Sequence, residues 1–266
     1  MTEKTPRDLW LIDLGTIDYG EALALQRAIV AAKKAGEFEP DLLLLLEHPA
    51  VITLGRRGDE RNVVASPETL AARDIRVHRI ERGGDVTYHG PGQLVGYPIV
   101  ALRHLPKRQD VGNFVWNMQE AIIRTLADYD LPSERIDKVI GVWRRSEPPP
   151  LDRLGWSADR QRAVARQTAY EARKIAAIGA RIEGWISFHG FALNVNSDLD
   201  DFNLIVPCGL QDRGVTSMEV ELGHPVPLDE VKARVAAQLA ALWGFRAVQR
   251  SVADLAPLFG AWATRP

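Results

Sequence analysis

The chain has 266 residues and a formal net charge of −2, from 33 basic and 35 acidic side chains. Because phosphate binding favours a strongly basic face, this balance gives no sign of a nucleic-acid partner. A chain of this length can bury a large core without disulfides or metals to hold it together. The single cysteine, Cys208, excludes an intramolecular disulfide and fits a reducing compartment.

Targeting and metal signals are both missing from the sequence. Residues 1–8 are polar, and the longest purely apolar run, 42–46, is too short to cross a bilayer. We therefore expect a cytoplasmic protein with no membrane segment. The six histidines and one cysteine lack the paired spacing of a metal site, and no Gly-x-Ser-x-Gly elbow of a serine hydrolase occurs.

Local signals predict the first elements of the chain. Asp18, with Glu21 three residues on, resembles a capping box and predicts a helix that ends at Gly36. The run 42–46 is short, continuous and apolar, which favours a strand buried on both faces. Ser66, before a proline, marks the start of a short helix.

The rest of the chain mixes strands and helices without regular alternation. The patterns predict a strand over 94–100, a helix from about 112 to 130 with Tyr129 on its apolar stripe, and a last helix over 229–243. Segments 174–182 and 185–195 flank Glu183-Gly184, which predicts a hairpin that pairs Ile178 with His189 and Lys174 with Leu193.

These elements indicate an α+β fold rather than a doubly wound parallel sheet. We expect one catalytic domain over residues 1–266. The one compositional break is segment 146–173, which contains three consecutive prolines and a charged stretch. It is typical of an excursion from a single domain rather than a linker between two.

Cys208 is the first candidate for chemistry. It could be a buried cysteine that packs as a small hydrophobe. Its neighbours Pro207 and Gly209 favour a turn, however, where a thiolate could attack an acyl thioester. A nearby cation would lower the thiol pKa, and the candidates are Lys174, His89, His189 and Arg82.

The glycine-rich segment 82–93 is the second candidate. Four glycines surround Thr87, Tyr88 and His89, so the backbone could approach a ligand closely. Arg82, Thr87, His89 and Gln93 supply donors for a carbonyl, carboxylate or phosphate. The spacing fits neither a Walker A loop nor a dinucleotide fingerprint, and a plain glycine-rich turn remains the alternative.

Three motifs together resemble the lipoyl(octanoyl) transferase family. They are Arg82-Gly83-Gly84 with Thr87-Tyr88-His89, Gly92-Gln93 and Tyr97; Lys174 to Gly179 followed by His189 to Asn196; and Pro207-Cys208-Gly209. The similarity extends from about Asp13 to Trp243. Relative to the family pattern, the chain carries an insertion between Trp143 and Lys174, at about 146–173.

The resemblance implies a fold and a reaction. The fold is that of the biotin and lipoate protein ligases, a mixed sheet with flanking helices like that of class II aminoacyl-tRNA synthetases. Octanoyl passes from acyl carrier protein to Cys208 as a thioester, and then to a lysine of a lipoyl domain. Lys174 lowers the thiol pKa and carries protons.

The resemblance also implies a pocket and partners. The pocket residues are Arg82, Gly83, Gly84, Asp85, Val86, Thr87, Tyr88, His89, Ala177, Ile178, Gly179, Gly190, Phe191 and Ala192, with His189 and Gln93 in support. No cofactor or metal is expected. The acceptors are the lipoyl domains of 2-oxoacid dehydrogenase complexes and the glycine cleavage H protein, and the enzyme is expected to be a monomer.

Two other functions stay open at this point. An ATP-dependent lipoate or biotin ligase of the same fold would activate a free acid as an adenylate and would not need Cys208. A non-catalytic acyl-binding protein could keep the pocket without the reaction.

Overall fold

Two β-sheets organise the chain. The computed structural model describes residues 5–147, 150–206 and 213–256. Its strands and longer helices, in chain order, are β1 (Arg7–Thr16), α1 (Tyr19–Ala35), β2 (Asp41–Glu47), β3 (Val51–Leu54), α2 (Pro67–Ala72), β4 (Arg76–Arg79), β5 (Val86–His89), β6 (Gln93–Ile99), α3 (Val111–Ala127), β7 (Glu134–Ile136), β8 (Val139–Arg144), α4 (Ala158–Thr168), β9 (Arg173–Glu183), β10 (Ile186–Asn194), β11 (Gly214–Val215), α5 (Met218–Leu222), α6 (Leu228–Trp243) and β12 (Phe245–Arg250).

The larger sheet mixes parallel and antiparallel strands. Its order within the described residues is β12-β1-β2-β6-β10-β9-β8-β7, and β11 pairs with β9. Strand β1 runs parallel to β2 and β12, whereas the pairs from β2 through β6, β10, β9 and β8 to β7 are antiparallel. The predicted α+β fold, with a mixed sheet and flanking helices, is confirmed.

Strand β2 lies inside this sheet, between β1 and β6, and separates two cores. Leu42, Leu44 and Leu46 pack in a cluster with residues of α1. Leu43 and Leu45 point to the opposite face, where they join residues of α3 and α6. Because helices cover both faces, the strand is apolar at consecutive positions, as the run 42–46 predicted.

The helix boundaries follow local capping chemistry. The Asp18 carboxylate accepts hydrogen bonds from the amides of Gly20 and Glu21 at the start of α1, and Gly36 ends that helix with a φ of 77°. Ser66 caps α2 in the same way. The predicted helices are confirmed, except that α3 ends at Ala127, before Tyr129.

The β9–β10 hairpin is confirmed, but its predicted register is wrong. Ile178 pairs with Phe191 and not with His189, and Leu193 pairs with Ala176 and not with Lys174. The turn is centred on Gly184 and Trp185, whose φ angles are 57° and 63°. Two-residue hairpin turns favour positive φ at both central residues, because this matches the twist of the strands. Gly184 is therefore the first of the two central residues and not the second. The partner of each β9 residue is consequently two positions later along β10 than predicted.

The small sheet was not predicted. It has the order β4-β3-β5, and β5 forms from residues of the glycine-rich segment. Helix α4 lies within segment 146–173, and its Val164 is buried in the same cluster as Leu199 and Phe202. Among the described residues, no helix is long and apolar enough to cross a membrane.

Candidate active site

A cleft of about 1070 Å³ opens where the two sheets and the start of α3 meet. Its volume is at the upper end of the range of about 300–1,000 Å³ for small-molecule sites. The described residues that line it are Tyr19, Arg56, Arg57, Arg82, Gly83, Gly84, Asp85, Val86, Thr87, His89, Tyr97, Val111, Val115, Lys138, Val139, Ile140, Lys174, Ala177, Ile178, Gly179, Ala180, His189, Gly190, Phe191 and Ala192.

One side of the cleft, here called the ladder wall, consists of residues 177–179 and 190–192. These two segments are neighbours in the sheet: Ala177 pairs with Ala192, and Gly179 pairs with Gly190. Their side chains are apolar or absent. Ile178 and Phe191 are cross-strand partners on the face toward α3, so they offer an apolar surface for an aliphatic chain.

The opposite side, here called the glycine wall, consists of residues 82–85. The Gly83 amide donates to the Ala180 carbonyl at 3.2 Å, which brings the two walls into contact at one end. A Cβ atom added to Gly179 would lie 2.9 Å from the Gly83 oxygen. Backbones this close require glycine at position 179.

Arg82 fastens the glycine wall to the small sheet. Its buried guanidinium donates through Nη2 to the Thr53 carbonyl and hydroxyl, both at 2.8 Å. Its own carbonyl accepts from the Arg56 amide at 3.0 Å. These contacts give Arg82 a supporting role in the shape of the wall.

Lys174 lies in the cleft at the start of β9. Its side chain is buried, and its Nζ lies 4.8 Å from the centre of the Trp143 ring. The Lys174 carbonyl accepts from the Thr216 amide, just beyond β11. Cys208, Pro207 and Gly209 lie outside the described residues, so the pairing of Cys208 with Lys174 stays a prediction.

A buried ionic cluster fixes the backbone around Lys174. The Glu221 carboxylate accepts from Arg173 at 3.1 Å, from Arg144 at 3.2 Å and from the Thr216 hydroxyl at 2.7 Å. All four residues are almost fully buried on the side chain. Since Arg173 precedes Lys174 and Thr216 hydrogen-bonds to it, the cluster sets the position of this strand end.

Three histidines are buried at or near the cleft: His89 and His189 line it, and His48 contacts the His89 ring. The His48 Nε2 atom is 2.8 Å from the Tyr97 hydroxyl, and the His89 ring stacks on Tyr19 with centroids 6.0 Å apart. Burial lowers the pKa of His48 to about 4 and the pKa of His89 and of His189 to about 3. Burial likewise raises the pKa of Tyr19 and of Tyr97.

These pKa values exclude two of the four side chains that were considered as the cation beside the Cys208 thiol. At neutral pH His89 and His189 are uncharged, so neither can supply that positive charge. The Arg82 guanidinium is engaged with Thr53. Of the four side chains considered from sequence, Lys174 fits the requirement best.

Most of the predicted pocket residues line the cleft, with two exceptions. Tyr88 points away, because its hydroxyl donates to Asp201 at 2.5 Å and its ring packs against Phe202. Gln93 lies behind His89 and hydrogen-bonds to it at 2.7 Å. Whether the lining residues bind substrate stays a prediction.

Other lining residues were missed by sequence reasoning. They come from separate parts of the chain: Tyr19, Arg56, Arg57, Val111, Val115, Lys138, Val139, Ile140 and Ala180. Val111 and Val115 are four apart on α3, which is also the spacing of an ordinary core-facing stripe. Among the residues the structure describes, no group of three or more His, Cys, Asp or Glu could hold a metal ion.

Comparison with known proteins shows similarity over most of the chain. The family model described as the lipoyl protein ligase A/B catalytic domain matches residues 18–240. The chain is 43% identical to an octanoyltransferase of Acidobacterium capsulatum, over 93% of this chain and 95% of that protein. It is 42% identical to an octanoyltransferase of Chloroflexus aggregans, over 91% of this chain and 98% of that protein.

Solved structures agree on the fold. A bipartite lipoate protein ligase from Thermoplasma acidophilum superposes with a TM-score of 0.68 at 16% identity, covering 97% of this chain and 93% of that one. A lipoate-protein ligase A bound with ATP gives a TM-score of 0.66 at 15% identity, over 98% and 95% of the two chains. Together with the match over residues 18–240, these findings establish that the chain belongs to the lipoyl protein ligase A/B catalytic domain family.

Proposed function

We propose that this protein is an octanoyltransferase that moves an octanoyl group from octanoyl-acyl carrier protein to a lysine of a lipoyl domain, through a thioester on Cys208. The observation that carries the proposal is the placement of Lys174 in a cleft with the apolar ladder wall. Relatives that are 41–44% identical and named octanoyltransferase support the same reaction.

The proposed reaction has two steps. The Cys208 thiolate attacks the carrier thioester, so a C–S bond forms as the carrier's C–S bond breaks. The acceptor amine then attacks the enzyme thioester, a C–N bond forms, and the cysteine thiol is restored as the nitrogen loses its proton. The first step is nearly balanced and the second is downhill, so ATP is not required.

Lys174 is proposed to serve both steps. As an ammonium it favours the thiolate of Cys208 before the first attack. As a neutral amine it can take the proton that the attacking nitrogen loses. Its fixed backbone, held by Thr216 and by the ionic cluster of Glu221, suits a group that must act twice from one position.

The ladder wall and the glycine wall are proposed to hold the octanoyl chain. Each methylene moved from water to an apolar surface stabilises binding by about 0.8 kcal/mol, so a fully buried octanoyl tail contributes about 5 kcal/mol. That contribution requires Ile178 and Phe191, which lie on one face of the sheet, to contact the chain directly.

Partners and organisation follow from the same proposal. The acceptors are the lipoyl domains of 2-oxoacid dehydrogenase complexes and the glycine cleavage H protein. The enzyme works as a cytoplasmic monomer, with residues 1–266 as one domain. Segment 146–173 is proposed as a surface elaboration that α4 anchors to the domain, since its Val164 packs with residues of the 3-10 helix Leu199–Leu204.

The test is the intact mass of the protein after incubation with octanoyl-acyl carrier protein. We expect an octanoyl adduct on the wild type, none on Cys208→Ser, and slow formation on Lys174→Ala. Lys138→Ala is the matched control, because Lys138 lines the cleft mouth but its side chain is 90% exposed. Equal rates for the two lysine variants would contradict the role of Lys174.

The same experiment separates the rival functions. A ligase that activates a free acid would form no adduct from the carrier thioester and would need ATP for transfer. A non-catalytic acyl-binding protein would bind the carrier without any covalent mass increase. Either result would overturn the octanoyltransferase proposal.

A further inference from the structure

The buried side chains behind His89 form a chain of hydrogen bonds that ends on backbone carbonyls. Asn194 Nδ2 donates to the Thr216 carbonyl at 3.0 Å. Gln93 Nε2 donates to the Asn194 Oδ1 atom at 2.8 Å and to the Tyr88 carbonyl at 3.2 Å. Gln93 Oε1 lies 2.7 Å from His89 Nδ1.

The two backbone carbonyls fix every proton in this chain. A carbonyl can only accept, so the Thr216 oxygen requires the amide nitrogen of Asn194 and turns the Asn194 oxygen toward Gln93. That oxygen and the Tyr88 carbonyl together require the amide nitrogen of Gln93. The Gln93 oxygen must therefore face His89, and it can only accept.

His89 consequently carries its proton on Nδ1. Burial and the neighbouring charges keep its pKa at about 3, so at neutral pH the ring has a single proton, and Gln93 Oε1 holds that proton. The other ring nitrogen, Nε2, has its lone pair available. It forms no hydrogen bond to the described residues, and His89 lines the cleft.

Hydrogen bonds connect His89 to the strand end that carries Lys174. Leu193 pairs with Ala176, so Asn194 lies at the level of Ile175, next to Lys174. Thr216, at the end of the same chain of hydrogen bonds, donates its amide to the Lys174 carbonyl at 3.0 Å. The hydrogen-bond chain therefore joins His89 to the strand end that carries Lys174.

We infer that His89 Nε2 accepts a hydrogen bond from the attacking amine of the acceptor lysine, and that Gln93 is the positioning residue that keeps this nitrogen unprotonated. This inference rests on the proposed function. An octanoyl chain has no donor, and a thioester carbonyl and sulfur only accept. Of the two reactants that meet at the reacting carbon, the thioester and the acceptor amine, the amine is the one with an N–H to donate.

The hydrogen bond orients the amine and does not remove its proton permanently. With one N–H directed at His89, the nitrogen lone pair can face the thioester carbon. The C–N bond then forms as the enzyme C–S bond breaks, and the proton released by the nitrogen ends on the cysteine sulfur. An imidazole with a pKa of about 3 is too weak a base to retain that proton.

The test separates the two half-reactions. Enzyme is first acylated with octanoyl-acyl carrier protein, and amide formation on a lipoyl domain is then followed in a single turnover. We expect His89→Phe to slow amide formation about tenfold, the effect of one lost hydrogen bond, while adduct formation changes less than about threefold. His89→Gln, whose amide oxygen can reach the Nε2 position, should recover part of the rate.

Gln93→Glu supplies a readout that a purely structural role would not move. The groups facing His89 are Tyr19, His48, Arg82 and His189, and a carboxylate at position 93 adds a negative charge beside Nδ1. This charge raises the pKa of His89, so protonation of Nε2 should make amide formation fall at low pH. Protonation of the acceptor amine lowers both rates as the pH falls, so the readout is the ratio of the Gln93→Glu rate to the wild-type rate, which should decrease from about pH 8 to pH 6. A ratio that stays constant over this range contradicts the inference.

The outcomes distinguish this inference from the proposed function. No adduct on the wild type overturns both. An adduct that forms normally, with amide formation unchanged in His89→Phe, overturns the inference alone. Equal slowing of both half-reactions in His89→Phe also overturns it, because the ring would then serve the acyl site rather than the amine. His224→Gln, an exposed histidine outside the cleft, is the control.

Discussion

The ladder wall is part of a continuous β-sheet, whereas the glycine wall is a short loop held by a few hydrogen bonds. Residues 177–179 and 190–192 pair along β9 and β10, so each position is supported by its neighbours. Residues 82–85 depend on the Arg82 side chain, three backbone hydrogen bonds from residues 55–57, two hydrogen bonds to the Asp85 carboxylate and one contact with Ala180. Single substitutions should therefore displace the glycine wall more easily than the ladder wall.

The largest effect should come from the three buried histidines at or near the cleft, through their response to pH. His48, His89 and His189 have pKa values lowered to about 4, 3 and 3 in the folded protein, against about 6.5 when unfolded. The unfolded chain binds more protons below pH 6.5. The contribution of these histidines to the free energy of unfolding should therefore be fully present above that pH. Between pH 6 and pH 4 it should fall by up to about 4 kcal/mol per pH unit.

Urea unfolding at a series of pH values measures this slope. His48→Gln should remove about a third of it, since each histidine contributes about 1.4 kcal/mol per pH unit. A free energy of unfolding that stays level from pH 7 to pH 5 would contradict the burial of these rings.

Arg82→Met tests the attachment of the glycine wall. It removes the charged hydrogen bonds to Thr53 and leaves the Thr53 carbonyl without this partner, so we expect a loss of about 3 kcal/mol in the free energy of unfolding. Octanoyl-adduct formation should slow more than stability alone explains, because the wall moves.

The control for Arg82 is Arg79→Met. Arg79 makes an exposed ion pair with Glu60, which contributes less than about 1 kcal/mol. If the two variants lose similar stability and similar activity, Arg82 does not hold the wall.

Gly179→Ala tests the contact between the walls. The new Cβ would lie 2.9 Å from the Gly83 oxygen, so one backbone must shift. We expect a loss of about 1–3 kcal/mol in stability and weaker octanoyl binding, measured by calorimetry with octanoate. Gly112→Ala on α3, whose Cβ meets no atom closer than 3.4 Å, should instead be neutral or slightly stabilising.

Trp185→Gly tests the ladder wall at its turn and should have the smallest effect. Trp185 has a φ of 63°, a conformation that glycine adopts without strain. We expect a gain of about 0.5–1 kcal/mol in the free energy of unfolding and no change in octanoyl transfer. A marked loss of transfer would show that the ladder wall is as easily displaced as the glycine wall.

Elements with local signals could be predicted from the sequence. The caps at Asp18 and Gly36 act within a few residues of α1, and the apolar run of β2 follows from burial on both faces. The family motifs predicted one pocket from the glycine-rich segment and the segments after Lys174. Most of these residues line one cleft, and their contact with an acyl chain stays a prediction.

Elements that depend on distant partners could not be predicted. Strand β1 pairs with β12, more than two hundred residues away, and β5 becomes a strand through pairing with β3. The register of the β9–β10 hairpin depends on whether Gly184 is the first or the second central residue of the turn. The fixed proton on His89 likewise depends on Asn194 and Thr216, which no local pattern connects to it.

The most direct test of the octanoyltransferase proposal is the mass of a lipoyl domain incubated with this protein and octanoyl-acyl carrier protein in the absence of ATP. We predict the mass increase of one octanoyl amide on one lysine, and none when Cys208→Ser replaces the wild type. An unmodified domain, or modification that appears only with ATP and free octanoate, would contradict the proposal.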